Sequence, residues 1–279
     1  MHLLILESLV FLECRTVMDK NYSIEIDERG VVWLTINRPE KRNAFDDELI
    51  AGLCDEIIAL DDNKQVRVIV LGGEGKTFSS GADLNWMKSM ADYDEAENLK
   101  DSKKLAELMY LLYHVRMPTI AKINGDAFGG AIGLIACCDI SISVIEAQFS
   151  FSEVKLGIIP AVISPYVIDA IGSRQAKRVF LTGEKFSAFD AYRMGLIHDC
   201  VSDGDLDSAV EKNIKRLLAG GPVAQTEIKK LVHSFSGIDA SVTEETAKII
   251  ARLRISNEGQ EGIGAFLEKR IPEWNSSDL

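Results

Sequence analysis

A chain of 279 residues, 47% of them hydrophobic, carries enough apolar side chains for one large packed core or two small ones. Its formal net charge of −12 argues against non-specific attraction to nucleic acid and to anionic membrane surfaces, while leaving room for a local basic pocket. Cys14, Cys54, Cys137, Cys138 and Cys200 lack metal-ligand spacing and the four histidines form no triad, so no metal is expected, and an odd cysteine count suits a reducing, cytoplasmic setting.

Residues 1–17 are apolar but interrupted by Glu7 and Glu13. The stretch is too short to span a bilayer and lacks the flanks of a signal peptide. Residues 1–18 read as an appended segment of low order, or alternatively as a short docking helix. Val31–Ile36 predicts a strand. The turn after it holds Pro39, which forbids a continuous helix, and the basic residues Arg38, Lys41 and Arg42. Leu49, Leu53, Ile57 and Leu60 recur at helical spacing behind a candidate N-cap, Asp46. Residues 66–71 predict a strand, 95–115 a long amphipathic helix ended by Pro118, and 119–123 a buried strand. Residues 140–144 and 197–201 predict two more strands, with one helical stretch over 164–193 between them. The alternation implies an α/β arrangement with a parallel sheet. From 206 the pattern is helical throughout, broken at Gly220-Gly221-Pro222, which divides the chain into a core over 19–205 and a helical subdomain over 206–279. No internal repeat is visible in the sequence.

Two strand-to-turn stretches stand out. One is Asn124-Gly-x-Ala-x-Gly-Gly130, after the 119–123 strand and before a run of small apolar residues suited to a buried helix. The other is Phe78-Ser-Ser-Gly-Ala-Asp83, after the 66–71 strand. A glycine turn feeding a helix presents backbone N–H groups where negative charge is stabilised, so it could form an oxyanion hole or a phosphate cradle. Close packing of a helix on a strand would use the same residues. The spacing fits neither the Walker loop nor the dinucleotide fingerprint.

With Cys138-Asp139, Ala147-Gln-Phe and Glu153-x-x-x-Gly157-x-x-Pro160 added in that order, the chain resembles the crotonase (enoyl-CoA hydratase/isomerase) superfamily over roughly residues 20 to 272. The resemblance implies a crotonase-type spiral of repeated ββα units with a C-terminal helical trimerisation region, and a homotrimer or hexamer. It implies an acyl-CoA thioester as substrate, with no cofactor apart from the coenzyme A that the substrate carries, and neither nucleic acid nor a membrane as partner. The matching positions make the N–H groups of Ala82 and Gly130 the donors to the thioester oxygen, which suits an enolate-like transition state. They make Glu153 the catalytic acid/base, its pKa raised by apolar neighbours. Arg38, Lys41 and Arg42 match the loop that approaches the CoA phosphates, and Ala82, Asp83, Leu84 and Asn85 are expected to flank CoA. Phe266 and Lys269 match a position that reaches the adenosine moiety from a neighbouring subunit. Trp33, Trp86 and Trp274 read as packing residues.

One departure matters. Two-glutamate hydratases carry their other glutamate where this chain has Gly133. The strings around 128–139 and 151–166, and Gly81-Ala-Asp-Leu-Asn-Trp-Met-Lys88, look like bacterial methylglutaconyl-CoA hydratases of leucine breakdown and their isohexenylglutaconyl-CoA relatives, which share that glycine. Gly133 and Ile163 are then expected to line the substrate pocket, the glycine giving room to a branched dicarboxylic acyl group. The expected reaction is hydration of 3-methylglutaconyl-CoA. The alternatives are hydration of isohexenylglutaconyl-CoA or of enoyl-CoA in general, and Δ3,Δ2-enoyl-CoA isomerisation. An RNA-binding or scaffolding member of the fold is disfavoured by the charge.

Overall fold

The computed structural model describes residues 15–275. The chain opens with β1 (Arg15–Met18), β2 (Tyr22–Ile26) and β3 (Val31–Ile36), joined antiparallel. Then α1 (Asp47–Asp62) starts at Asp46, whose side chain accepts from the Leu49 N–H, and it buries Leu49, Leu53, Ile57 and Leu60 as their spacing dictates. Three units follow in which a strand of a large sheet is continued by a short strand of a second sheet and then by helix. The first is β4 (Val68–Gly73), β5 (Thr77–Ser79), α2 (Leu84–Ala91) and α3 (Glu95–His114). The second is β6 (Thr119–Ile123), β7 (Asp126–Phe128) and α4 (Gly130–Cys137). The third is β8 (Ile140–Val144), β9 (Gln148–Ser150) and α5 (Ser164–Thr182). The chain ends with β10 (Lys185–Ser187), α6 (Ala188–Met194), β11 (Asp199–Val201), α7 (Leu206–Leu218), α8 (Pro222–Ser236), α9 (Ala240–Arg254) and α10 (Asn257–Leu267).

The large sheet has the order β1-β2-β3-β4-β6-β8-β11 and is parallel from β3 onward. The small one has the order β10-β9-β7-β5. This is the expected ββα spiral. Its repeat is geometric: the short strands β5, β7 and β9 are three residues each, too brief to leave a period in the sequence. The buried faces are near-continuous Val, Ile and Leu, as a sheet covered on both sides requires.

Three expectations are corrected. Arg15–Met18 forms an edge strand on β2, so this part of the expected 1–18 segment is ordered; residues 1–14 lie outside the described residues. The stretch 164–193 is broken twice: Gly172 (φ 73°) kinks α5 out of helical geometry, and Gly183 (φ 55°) ends it before β10 and α6. The helical end is no separate layer: α9 packs along α3, and α10 folds over α2 and the 3-10 turn Ser152–Leu156. Glycines permit this docking. A Cβ at Gly262 would lie 2.2 Å from the Leu156 carbonyl carbon, and one at Gly157 2.3 Å from the Glu258 oxygen.

Candidate active site

The two glycine turns are brought together because β5 and β7 are parallel neighbours in the small sheet. At the first, Gly81 has φ +86°, which favours glycine. Ala82 then forms an isolated bridge to Phe45: the Phe45 N–H donates to the Gly81 oxygen and the Asp83 N–H to the Phe45 oxygen, each at 2.7 Å. Peptide groups alternate in direction along an extended segment, so the Ala82 N–H between them points away from Phe45. At the second, the Gly129 N–H donates to the Ser150 oxygen at 3.0 Å, and Gly130 opens α4. The Gly130 N–H is one of those that a helix start leaves unpaired. Neither N–H has an acceptor among the described residues, and both residues line one cavity of about 1010 Å³. The strict glycine is Gly129, at φ +54°, rather than Gly130, where a Cβ would make ordinary contact with Phe45 at 3.5 Å.

Glu153 lies in the Ser152–Leu156 turn that follows β9, and β9 pairs with β7. Its Oε1 would be 3.1 Å from a Cβ on Gly129, so the carboxylate sits against the turn that presents the Gly130 N–H. Its Oε2 is sealed from solvent with no hydrogen-bond partner among the described residues. Burial pushes its pKa from the ordinary 4.5 up to about 7, against the smaller opposing pull of its own backbone N–H. The other carboxylates lining the cavity differ. Glu40 is exposed at the mouth. Asp83 caps α2 through the Asn85 N–H and is ion-paired with Lys41 at 3.1 Å and Arg38 at 3.4 Å.

The mouth departs from expectation in part. Lys41, Arg42, Ala82, Asp83, Leu84 and Asn85 line the cavity. Arg38 does not: it is 3% exposed, ion-paired with Asp46 and Asp83, and donates to the Ala44 oxygen at 2.7 Å. It holds the loop instead of meeting a ligand. Phe266 lines the cavity of its own chain, because α10 folds back over it, and Lys269 is not a lining residue. Lys155 and Lys185 also line it, and nothing in the sequence set them apart from other lysines.

At the inner end Ile163 lines the cavity but Gly133 does not. A Cβ at 133 would lie 2.2 Å from Ile163 Cγ2 and 3.1 Å from Met109 Sδ. The glycine therefore makes room for Ile163, which occupies the place a second carboxylate would need, and not for an acyl group. Trp86 is a wall as well as a packing residue. It lines the cavity and donates from Nε1 to Asp101 Oδ1 at 3.1 Å, while Asp101 Oδ2 takes Arg254 Nη1 at 2.8 Å. Asp139, by contrast, is structural: it accepts from the N–H and hydroxyl of Thr119 and pairs with Lys229 at 2.7 Å.

The family described as enoyl-CoA hydratase/isomerase matches residues 27–277. The 2,3-dehydroadipyl-CoA hydratase of Escherichia coli K12 is 32% identical over 251 residues, 88% of this chain and 96% of that protein. The crystal structure of an enoyl-CoA hydratase from Shewanella pealeana is 44% identical with a TM-score of 0.75, over 91% of this chain and 96% of that one. That of an enoyl-CoA hydratase from Mycobacterium avium is 33% identical with a TM-score of 0.78, over 92% and 100%.

Proposed function

The chain belongs to the enoyl-CoA hydratase/isomerase family, and on that premise we propose that it adds water to 3-methylglutaconyl-CoA to give 3-hydroxy-3-methylglutaryl-CoA. The observation that carries the chemistry is Glu153, with Oε2 sealed and Oε1 against Gly129, beside two N–H groups that have no acceptor among the described residues. The thioester oxygen lies between the Ala82 and Gly130 N–H groups. As Glu153 takes a proton from water, the water oxygen bonds to C3 and the electron pair of the double bond moves to give an enolate, whose oxygen the two donors stabilise, each by about 3 kcal/mol. Glu153 then returns the proton to C2. One carboxylate with a pKa of about 7 can serve as base and then as acid near neutral pH.

The dicarboxylic substrate is supported by the likeness of the 81–88, 128–139 and 151–166 strings to the glutaconyl-CoA hydratases. A relative named for the dicarboxylic 2,3-dehydroadipyl-CoA points the same way. Lys41, Arg42, Lys155 and Lys185 offer the positive charge that CoA phosphates take. We extend the proposal to a cytoplasmic homotrimer or hexamer without further cofactor. Buried reduced Cys54, Cys137 and Cys138 suit that setting, and the exposed Ile228, Leu231, Val232 and Phe235 of α8 suit a subunit contact. Glu153, which carries the one buried cavity carboxylate oxygen without a partner among the described residues, also favours a second reading, Δ3,Δ2 isomerisation, in which Glu153 moves a proton from C2 to C4 or back. Incubation with 3-methylglutaconyl-CoA and, in parallel, with a 3-enoyl-CoA decides between them. Hydrated product from the first supports the proposal; a 2-enoyl product from the second, with no water added to the first, replaces it.

A further inference from the structure

The cavity is lined by a buried charged group that the hydration chemistry does not use. Trp86 and Met90 from the α2 side, Leu105 of α3, Ile250 of α9 and Ile163 line it with apolar surface, and Arg254, at the end of α9, stands among them. Arg254 is 7% exposed. Only its Nη1 is engaged among the described residues, by Asp101 Oδ2 at 2.8 Å and Ser102 Oγ at 3.2 Å. Nε and Nη2 find no acceptor there, yet they are not among the sealed, unsatisfied atoms. A guanidinium presents donors on two edges, and one edge here is unused beside the cavity.

Packing alone does not require this arrangement. A helix end can be fixed to α3 by apolar contact, and a buried ion pair is weak support for stability. Asp101 holds the pair in place: its Oδ1 is taken by the Trp86 indole N–H, which spreads its charge and sets the guanidinium plane. The free edge can then accept a planar anion in bidentate form, the geometry in which arginine discriminates a carboxylate.

We infer that Arg254, positioned by Asp101 and Trp86, receives the free carboxylate of a dicarboxylic enoyl-CoA and is the residue that separates such substrates from monocarboxylic ones. This rests on the reading of the site as an enoyl-CoA hydratase and supplies the recognition that Gly133 does not provide. The carboxylate takes no part in bond making. It anchors the far end of the acyl group while the oxyanion turns anchor the thioester, so C2 and C3 are held at two points against Glu153.

The wild-type protein is first given glutaconyl-type substrate as the free acid and as its neutral methyl ester, alongside crotonyl-CoA. The acid is expected to exceed the ester in kcat/KM by about tenfold or more, the worth of a hydrogen bond to a charged group. Acid and ester turned over alike overturn the inference. Hydration of crotonyl-CoA with no hydration of acid or ester overturns the dicarboxylic inference while leaving the hydratase reading standing. Hydration of none of the three overturns the hydratase reading itself. Arg254→Gln and Arg254→Lys then locate the effect. The ratio of kcat/KM for the acid over crotonyl-CoA should fall by about thirtyfold in the Gln variant, mostly through KM, and be partly restored in the Lys variant. A Gln variant that loses both substrates in proportion shows a purely structural arginine and overturns the assignment. Where that variant does not fold, the acid–ester comparison still decides.

Discussion

The turn at 125–130 and the loop at 37–43 both face the same cavity, yet they were unequally readable. The turn acts through its backbone. Gly129 needs φ +54°, and the Gly130 N–H is left unpaired by the helix it starts, so the residue types themselves dictate what is presented. The loop acts through side chains. Arg38, Lys41 and Arg42 are chemically alike, but Arg38 turns inward to Asp46 and Asp83 while Lys41 and Arg42 face the cavity. Local sequence settles where a peptide group points; the partners across the fold settle where a long charged side chain points.

The largest effect tests the backbone turn with its carboxylate. If Glu153 is the proposed acid/base, Glu153→Gln should lower kcat by about 10²-fold or more while ligand binding persists, as expected of a group that transfers protons without anchoring the ligand. Retention of more than about a tenth of the wild-type rate would place the acid/base elsewhere.

The loop is tested by a pair of variants. Arg38→Ala leaves Asp46 and Asp83 without their buried partner and should destabilise by about 3 kcal/mol, the cost of breaking such a pair. Lys41→Ala, whose side chain is 43% exposed, should leave the melting temperature nearly unchanged and raise KM for CoA thioesters in a salt-dependent way. Reversal of the two outcomes would return Arg38 to the phosphate site.

Gly133 sharpens the comparison, being a glycine whose role is packing. Gly133→Ala should destabilise by about 2 kcal/mol through overpacking against Ile163, and Ile163→Ala in the same chain should relieve much of it. If Gly133→Ala instead changed substrate preference at constant stability, 133 would belong to the pocket after all.

The smallest effect concerns pH. Glu153 titrates near 7 when folded against an ordinary 4.5, so the unfolded chain releases its proton first as pH rises. The stability contributed by holding the protonated form is complete below about pH 4.5 and is lost as pH climbs through about 7. The melting temperature of Glu153→Gln should therefore gain on the wild type across that window, with kcat of the wild type rising over the same range as the base form appears. Parallel melting curves at all pH values would show an unperturbed carboxylate.

By itself the sequence determined the parts that follow from local chemistry. The strand at Val31–Ile36, the Asp46-capped helix, the long helix from Glu95 and the β6 strand at Thr119–Ile123 lie where periodicity and caps put them. The two glycine turns and Glu153 carry motifs whose order and spacing mark the family. Tertiary structure decided what depends on residues distant in the chain. The small sheet joins segments of three residues, each too short to be stable or visible alone. Gly133 faces Ile163 only because α4 meets the loop before α5, and Phe266 enters its own chain's cavity only because Gly157 and Gly262 let α10 dock. Arg254 meets Asp101 across 153 positions of sequence. Such pairings are selected by burial and by the need to satisfy charge in a low-dielectric interior, which no local pattern encodes.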